Sequence, residues 1–194
     1  MLVSHAHYDH LDMPSLRMLR REGPIVVPRG SGRLLRGLDD VIEVEVGERV
    51  PLGSVTVTAV AADHAVQRRP LGERTPALGY LVERVYFAGD TDLFGGMRDL
   101  AGRVDVALLP VWGWGSRVGP GHLDPERAAR AAALIEPRVA IPIHWGTLAA
   151  IGAQRGEDPY APPRAFAAAV ARLAPGVEVR VLAPGERTVI MPFT

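Results

Sequence analysis

Nine residues near the start of the chain, SHAHYDHLD (Ser4 to Asp12), hold three of its six histidines, His5, His7 and His10, beside Asp9 and Asp12. Imidazole nitrogens and carboxylate oxygens suit zinc and its first-row neighbours, and the chain has no cysteine to supply a softer ligand. His-x-His followed by Asp-His can aim these donors at two adjacent points where a strand turns into a helix. Two metal ions about 3.5–4 Å apart can share a hydroxide, polarise a scissile group and stabilise a leaving oxygen. Such a pair needs a bridging ligand. Asp90, in the Gly89-Asp90-Thr91 turn that follows an apolar run, fits that part.

A lone exposed histidine is ordinarily just surface, and His64 taken alone would be read so. The cluster at 5–10 changes its weight, and that of His144. His122 has two readings, a residue facing a bound molecule or the entry to the following helix. Asp12 either supports the cluster or caps the helix after it.

The elements that must carry these residues follow from periodicity. Ile25–Val27, Ser54–Ala62, Val104–Pro110 and Val139–Ile143 are apolar, mostly β-branched runs that read as strands, and Val41–Val46 (VIEVEV) alternates as a half-buried strand does. Ala77–Glu83 and Val85–Ala88 read as a hairpin, and Glu178–Val181 and Arg187–Met191 as closing strands. Gln67–Pro76 is a polar, arginine-rich loop. Helices are expected at Pro14–Arg21, Gly32–Leu38, Asp124–Ile135 and Arg164–Leu173. The third has an Asp N-cap, Pro at its first position and an acidic first turn. His5, His64, Asp90 and His144 each stand just past a strand's C-terminal end, where a rigid sheet can converge loops on one point.

Composition narrows the function classes. With 194 residues, 47% hydrophobic and 23% charged, the chain suits one globular domain spanning 1–194. Formal net charge is zero, so nothing global recruits nucleic acid or an anionic membrane. All 22 basic residues are Arg, which leaves arginine as the fixed-charge cation near any site. No run approaches the roughly 18 apolar residues of a membrane span. The expected compartment is the cytoplasm.

HAHYDH at 5–10, His64 in ADHA, Asp90 in GDT and His144 in PIHWGT together resemble the metallo-β-lactamase-fold superfamily of hydrolases. That resemblance implies an α/β fold, a four-layered αββα sandwich with the site at one edge of two sheets. It places His5, His7 and His64 at one metal ion, Asp9, His10 and His144 at the other, and Asp90 between them. Two divalent ions are implied, zinc first, with manganese or iron as alternatives. The stretch GHLDPERAARAAALIEPRVAIPIHWGT is most similar to the branch containing N-acyl-phosphatidylethanolamine phospholipase D and ascorbate-6-phosphate lactonase. In the phospholipase relatives a His before DPEEA lines the active site, which makes His122 a candidate for substrate contact. The loop VWGWGSRVGPG departs from those enzymes.

The reading that results is a dinuclear metal-dependent hydrolase. A metal-activated hydroxide, oriented by Asp9, would cleave an ester, lactone or phosphodiester of a small or lipid-like anionic substrate, with His122 acting on that substrate. Arg68, Arg69 and Arg74 would favour such an anion if they face the site; otherwise they are a solvated loop. Trp112 and Trp114 are either a pocket wall or core. A nuclease of the same superfamily and an inactive metal-binding scaffold are the competing readings, and zero net charge argues against the nuclease.

Relatives in the superfamily place several strands before the histidine motif, whereas here it follows Met1-Leu2-Val3-Ser4. The expectation is an N-terminally truncated form whose first sheet lacks the strands beside Leu2-Val3, with the bare edge hidden by self-association.

Overall fold

The computed structural model describes residues 1–68, 72, 74–113, 118–147 and 158–190. In chain order the elements are α1 (Met13–Met18), β1 (Ile25–Pro28), β2 (Val41–Val44), β3 (Arg49–Leu52), β4 (Val55–Ala61), β5 (Val66–Gln67), β6 (Arg74–Thr75), β7 (Leu78–Val82), β8 (Val85–Phe87) and β9 (Val106–Pro110). They are followed by α2 (Pro125–Ile135), β10 (Val139–Ile143), α3 (Ala161–Leu173) and β11 (Glu178–Val179). Short 3₁₀ turns occupy Gly32–Leu35 and Gly95–Leu100.

Seven strands form the main sheet in the order β11-β10-β9-β8-β7-β4-β3. Its β8–β11 half is parallel, and its β3-β4-β7-β8 half is antiparallel. β1 and β2 form a separate parallel pair, which Leu2 extends by one bridge to Val26.

Alternation along the strands assigns the layers. Leu81, Tyr86, Ala107 and Leu109 pack under the alanine-rich face of α2 and under Phe166 and Val170 of α3. On the other face, Val57, Ala59, Leu78 and Tyr80 meet Val26 and Val44 of the small sheet. Beyond that sheet, Ile25 and Val27 are covered by Leu11, Leu16 of α1 and Leu35. Helices, sheet, sheet and helices: the mixed α/β metallo-β-lactamase fold is the architecture present.

Several elements differ from the sequence reading. α1 stops at Met18 instead of Arg21, with Leu16 its one buried residue and Met18 itself 84% exposed, so no packing sustains another turn. The Gly32–Leu38 helix is a single 3₁₀ turn, cut short before Gly37, whose φ is +83°. α3 begins three residues early because Pro162 and Pro163 fit a first turn that needs no backbone donors. β3 gave no pattern in sequence because it contains Pro51. As the outermost strand it tolerates a residue that cannot donate to a ladder. Arg187–Ile190 is not a strand. Arg180 holds that segment instead, donating to Thr188 Oγ1 at 2.9 Å and to the Val189 carbonyl at 3.0 Å, while Ile190 packs on Val139 and Ile141. Met191 lies outside the described residues.

Candidate metal centre

Four segments that leave strands converge at one edge of the sheets. The first is the loop from Ser4 to Asp12, held at its ends by Leu78 N–H donating to the Ser4 carbonyl at 2.9 Å and by Leu11 N–H donating to the His7 carbonyl at 2.8 Å. Asp12 caps α1, accepting from Ser15 N–H at 2.9 Å and Ser15 Oγ at 2.6 Å, so its capping role is the one observed. The others bring His64 after β4, Asp90 after β8 and His144 after β10. His144 adopts φ +61°, a left-handed conformation that a non-glycine residue holds at a cost.

The donors fall into two groups. His7 Nδ1 lies 3.0 Å from His5 Nε2 and 3.1 Å from His64 Nε2. His10 Nε2 lies 3.2 Å from His144 Nε2, with Asp9 Oδ2 at 3.7 and 3.8 Å from those two atoms. Asp90 stands between the groups, its Oδ2 3.8 Å from His5 Nε2 and 3.2 Å from His10 Nε2, its Oδ1 3.5 Å from His144 Nε2. His5-His7-His64, Asp9-His10-His144 and His5-His10-Asp90 each bring three donor atoms within 4.8 Å of one another. All seven residues expected from sequence are therefore together.

Orientation comes from hydrogen bonds behind the rings. His64 Nδ1–H donates to the Gly121 carbonyl at 2.7 Å and His144 Nδ1–H to the Trp112 carbonyl at 2.8 Å, which leaves each Nε2 bare toward the cluster. His5 Nδ1 and His10 Nδ1 lie 3.1 and 3.4 Å from the buried Ser4 hydroxyl. Ring nitrogens facing one another near 3 Å repel when both lack a proton, and a shared proton or a cation among them relieves the repulsion. Asp90 Oδ1 is buried without a hydrogen-bond partner. A lone-pair cluster around an unsatisfied carboxylate fits a divalent ion of the zinc, manganese or iron type.

Electrostatics agree with that fit. Burial, reinforced by His10, pushes the His5 imidazole down to about 2, and burial also lowers His7 and His64. Burial opposes ionisation of Asp90, but His10 and His122 overcome it and hold the carboxyl well below its usual range. Neutral imidazoles and an ionised carboxylate are the forms that coordinate metal. His144 differs: burial works downward, yet the neighbouring Asp9 and Asp90 carboxylates raise it to about 9.

His122 also reaches the cluster. Its Nε2 is 3.5 Å from Asp90 Oδ2, contact with Asp90 raises its pKa, and it forms a further three-donor group with His64 and Asp90. Arg68 spends its guanidinium on the loop backbone, donating from Nη1 to the Ala6 carbonyl at 2.6 Å and the Leu11 carbonyl at 2.9 Å. Arg74 is exposed on β6, and Arg69 and Trp114 lie outside the described residues. Trp112 contributes its carbonyl to His144. Sequence reasoning missed the supporting residues: Ser4, Gly121 and Asp92, which accepts from Gly121 N–H at 3.2 Å and pairs with Arg127 of α2. Only the glycine of GPGH carried a signal, its φ of +81° being open to Gly at no strain.

Comparison with known proteins agrees with the fold. The family model described as a beta-lactamase superfamily domain matches residues 1–145. A UPF0173 metal-dependent hydrolase of Methanopyrus kandleri is 36% identical over 199 residues, covering 95% of this chain and 79% of that protein. A UPF0173 protein of Pyrococcus furiosus is 32% identical over 151 residues, covering 75% of this chain and 66% of its own length, just under two thirds. Among solved structures, the metallo hydrolase Igni18 of Ignicoccus hospitalis superposes with a TM-score of 0.74 at 26% identity, over 100% of this chain and 79% of that one. The chain belongs to the metallo-β-lactamase superfamily and, within it, to the UPF0173 metal-dependent hydrolase family.

Proposed function

We propose that this chain is a dinuclear metal-dependent hydrolase that cleaves an ester, lactone or phosphodiester bond of a small or lipid-like anionic substrate. The observation that carries the reading is the meeting of two three-residue donor groups on one buried carboxylate, Asp90, whose Oδ1 has no hydrogen-bond partner. His5, His7 and His64 would hold one divalent ion and Asp9, His10 and His144 the other, zinc first, with manganese or iron as alternatives. Bound there, the ions supply Lewis acidity and a water made acidic toward neutral pH.

The chain's own groups do the rest. Asp9 accepts a hydrogen bond from the attacking water and fixes its direction. His122, whose Nε2 lies 3.5 Å from Asp90 Oδ2, would donate from that nitrogen to the negative charge that develops on the substrate. Similarity of the stretch from Gly121 to Thr147 to the phospholipase D and lactonase branch supports an ester- or phosphate-type bond. The test is a panel of ester, lactone and phosphodiester substrates on metal-loaded protein, with metal content measured on the same sample. Two equivalents of metal and chelator-sensitive turnover of one class are expected. One equivalent, unmoved by added metal, would overturn the dinuclear reading, and turnover of nucleic acid alone would favour a nuclease.

A further inference from the structure

Asp92 stands two residues past the shared carboxylate Asp90, yet among the described residues it belongs to none of the three-donor groups. Its main chain and its side chain both lead to His64. Asp92 N–H donates to the Asp63 carbonyl at 2.8 Å and Asp63 N–H to Thr91 Oγ1 at 2.9 Å, which pins the residue before His64 to the GDT turn. From the other side, Asp92 Oδ2 accepts from Gly121 N–H at 3.2 Å, and the Gly121 carbonyl accepts from His64 Nδ1 at 2.7 Å. The two peptides that flank Gly121 are therefore each held, one by Asp92 and one by His64. The second of them carries the backbone N–H of His122, so its orientation also fixes where that side chain starts. From there His122 Nδ1 lies 3.2 Å from the Pro120 carbonyl and Nε2 3.5 Å from Asp90 Oδ2.

Such a clamp asks for a carboxylate. Oδ1 accepts from Leu93 N–H at 2.5 Å and pairs with Arg127 in the first turn of α2, while Oδ2 serves Gly121. Donors approach both oxygens, and an ionised carboxylate offers acceptors on both with no donor of its own. Only 14% of the Asp92 side chain is exposed, so water competes little for these contacts. The anchor is firm as well. Asp124 caps α2 by accepting from Arg127 N–H at 2.8 Å, and the next two residues, Ala128 and Ala129, are fully buried.

We propose that Asp92, anchored by Arg127, is a positioning residue of the metal centre: through Gly121 it aims the His64 ring and places His122. The inference rests on the metal-dependent hydrolase reading for what the two histidines do. The alternative is a purely structural role, in which Asp92 only ties α2 to the sheet.

Asp92→Asn separates the two. Asparagine has one acceptor oxygen. With that oxygen kept by Leu93 and Arg127, its NH₂ group meets Gly121 N–H, a donor against a donor. In zinc-loaded protein, the His64 Nδ1 proton followed by nuclear magnetic resonance should exchange with solvent about ten-fold faster or more in the variant. Zinc retention against a graded chelator should fall about 10–100-fold. Arg127→Gln, which keeps the carboxylate but frees it from α2, should move both measurements in the same direction by less, and serves if Asp92→Asn does not fold. Glu126→Gln removes the pairs to Arg130 and to Arg172 of α3 without touching Asp92 or Gly121, and should leave both measurements unchanged. Wild-type exchange and retention in the Asp92 and Arg127 variants would overturn the proposal. So would equal losses in Glu126→Gln, since any loosening of α2 would then suffice. On a substrate that the wild type turns over, Asp92→Asn should lower kcat about 10–100-fold with KM little changed. If the wild type turns over none, the hydrolase reading fails, while the proton and chelator measurements still decide the role of Asp92.

Discussion

The Ser4 hydroxyl stands 3.1 Å from His5 Nδ1, with both residues buried, and the same oxygen is 3.4 Å from His10 Nδ1. One hydroxyl thus serves one imidazole from each donor group. With two lone pairs it can accept from both Nδ1–H groups, which turns both Nε2 atoms toward the centre. Close approach of Gly89 makes this fit: a Cβ there would lie 2.5 Å from Ser4 Cβ. Ser4→Ala should fold normally yet hold metal about 10–100-fold less tightly, the usual effect of removing such a partner. Metal retention against a graded chelator measures this. Unchanged retention would show that the hydroxyl does not orient the rings.

His122→Ala separates substrate contact from metal ligation. If His122 acts on developing charge, turnover should fall about 100–1,000-fold while metal stoichiometry stays the same. Loss of one metal equivalent would instead make His122 a ligand, consistent with its grouping with His64 and Asp90.

Gly121→Ala should disturb one donor group specifically. The residue has φ +81°, and an added Cβ would lie 3.0 Å from His64 Nδ1, the atom its own carbonyl orients. The left-handed backbone alone costs an alanine about 1–2 kcal/mol. Lower melting temperature together with weakened metal retention is expected. A fall in stability with full metal retention would mean that His64 is dispensable for binding.

Chelated, metal-free protein should lose stability as pH falls below about 6.5, the ordinary histidine value. His5, His7 and His64 are lowered in the fold, so below that pH the unfolded chain binds protons that the native chain refuses. His5 alone, held at about 2, should contribute a slope of about 1.4 kcal/mol per pH unit there. His144 acts oppositely. Raised to about 9, it contributes stability that is complete below 6.5 and lost as pH climbs through about 9. Denaturant titrations at several pH values should show a maximum near 6.5. A flat acid limb would contradict the depressed histidines.

What the sequence determined by itself was local. HAHYDH announced its chemistry because donor type and short spacing are properties of the residues, and α2 was legible because Asp124, Pro125 and Glu126 are an N-terminus whatever they pack against. The apolar runs of β4, β9 and β10 marked their strands, and so the positions just beyond them, for the same reason. Tertiary structure decided everything that needs two distant segments to meet. His10 and His144 are 134 residues apart, and His64 and Gly121 are 57 apart, so no window of sequence contains their 3.2 and 2.7 Å contacts. Ser4 looked like an ordinary small residue until Gly89 pressed against it and two rings closed over it. β3, with a proline in a four-residue strand, exists because β4 offers it an edge. Local residues carry chemical identity and propensity; direction and distance are set only when the sheets stack.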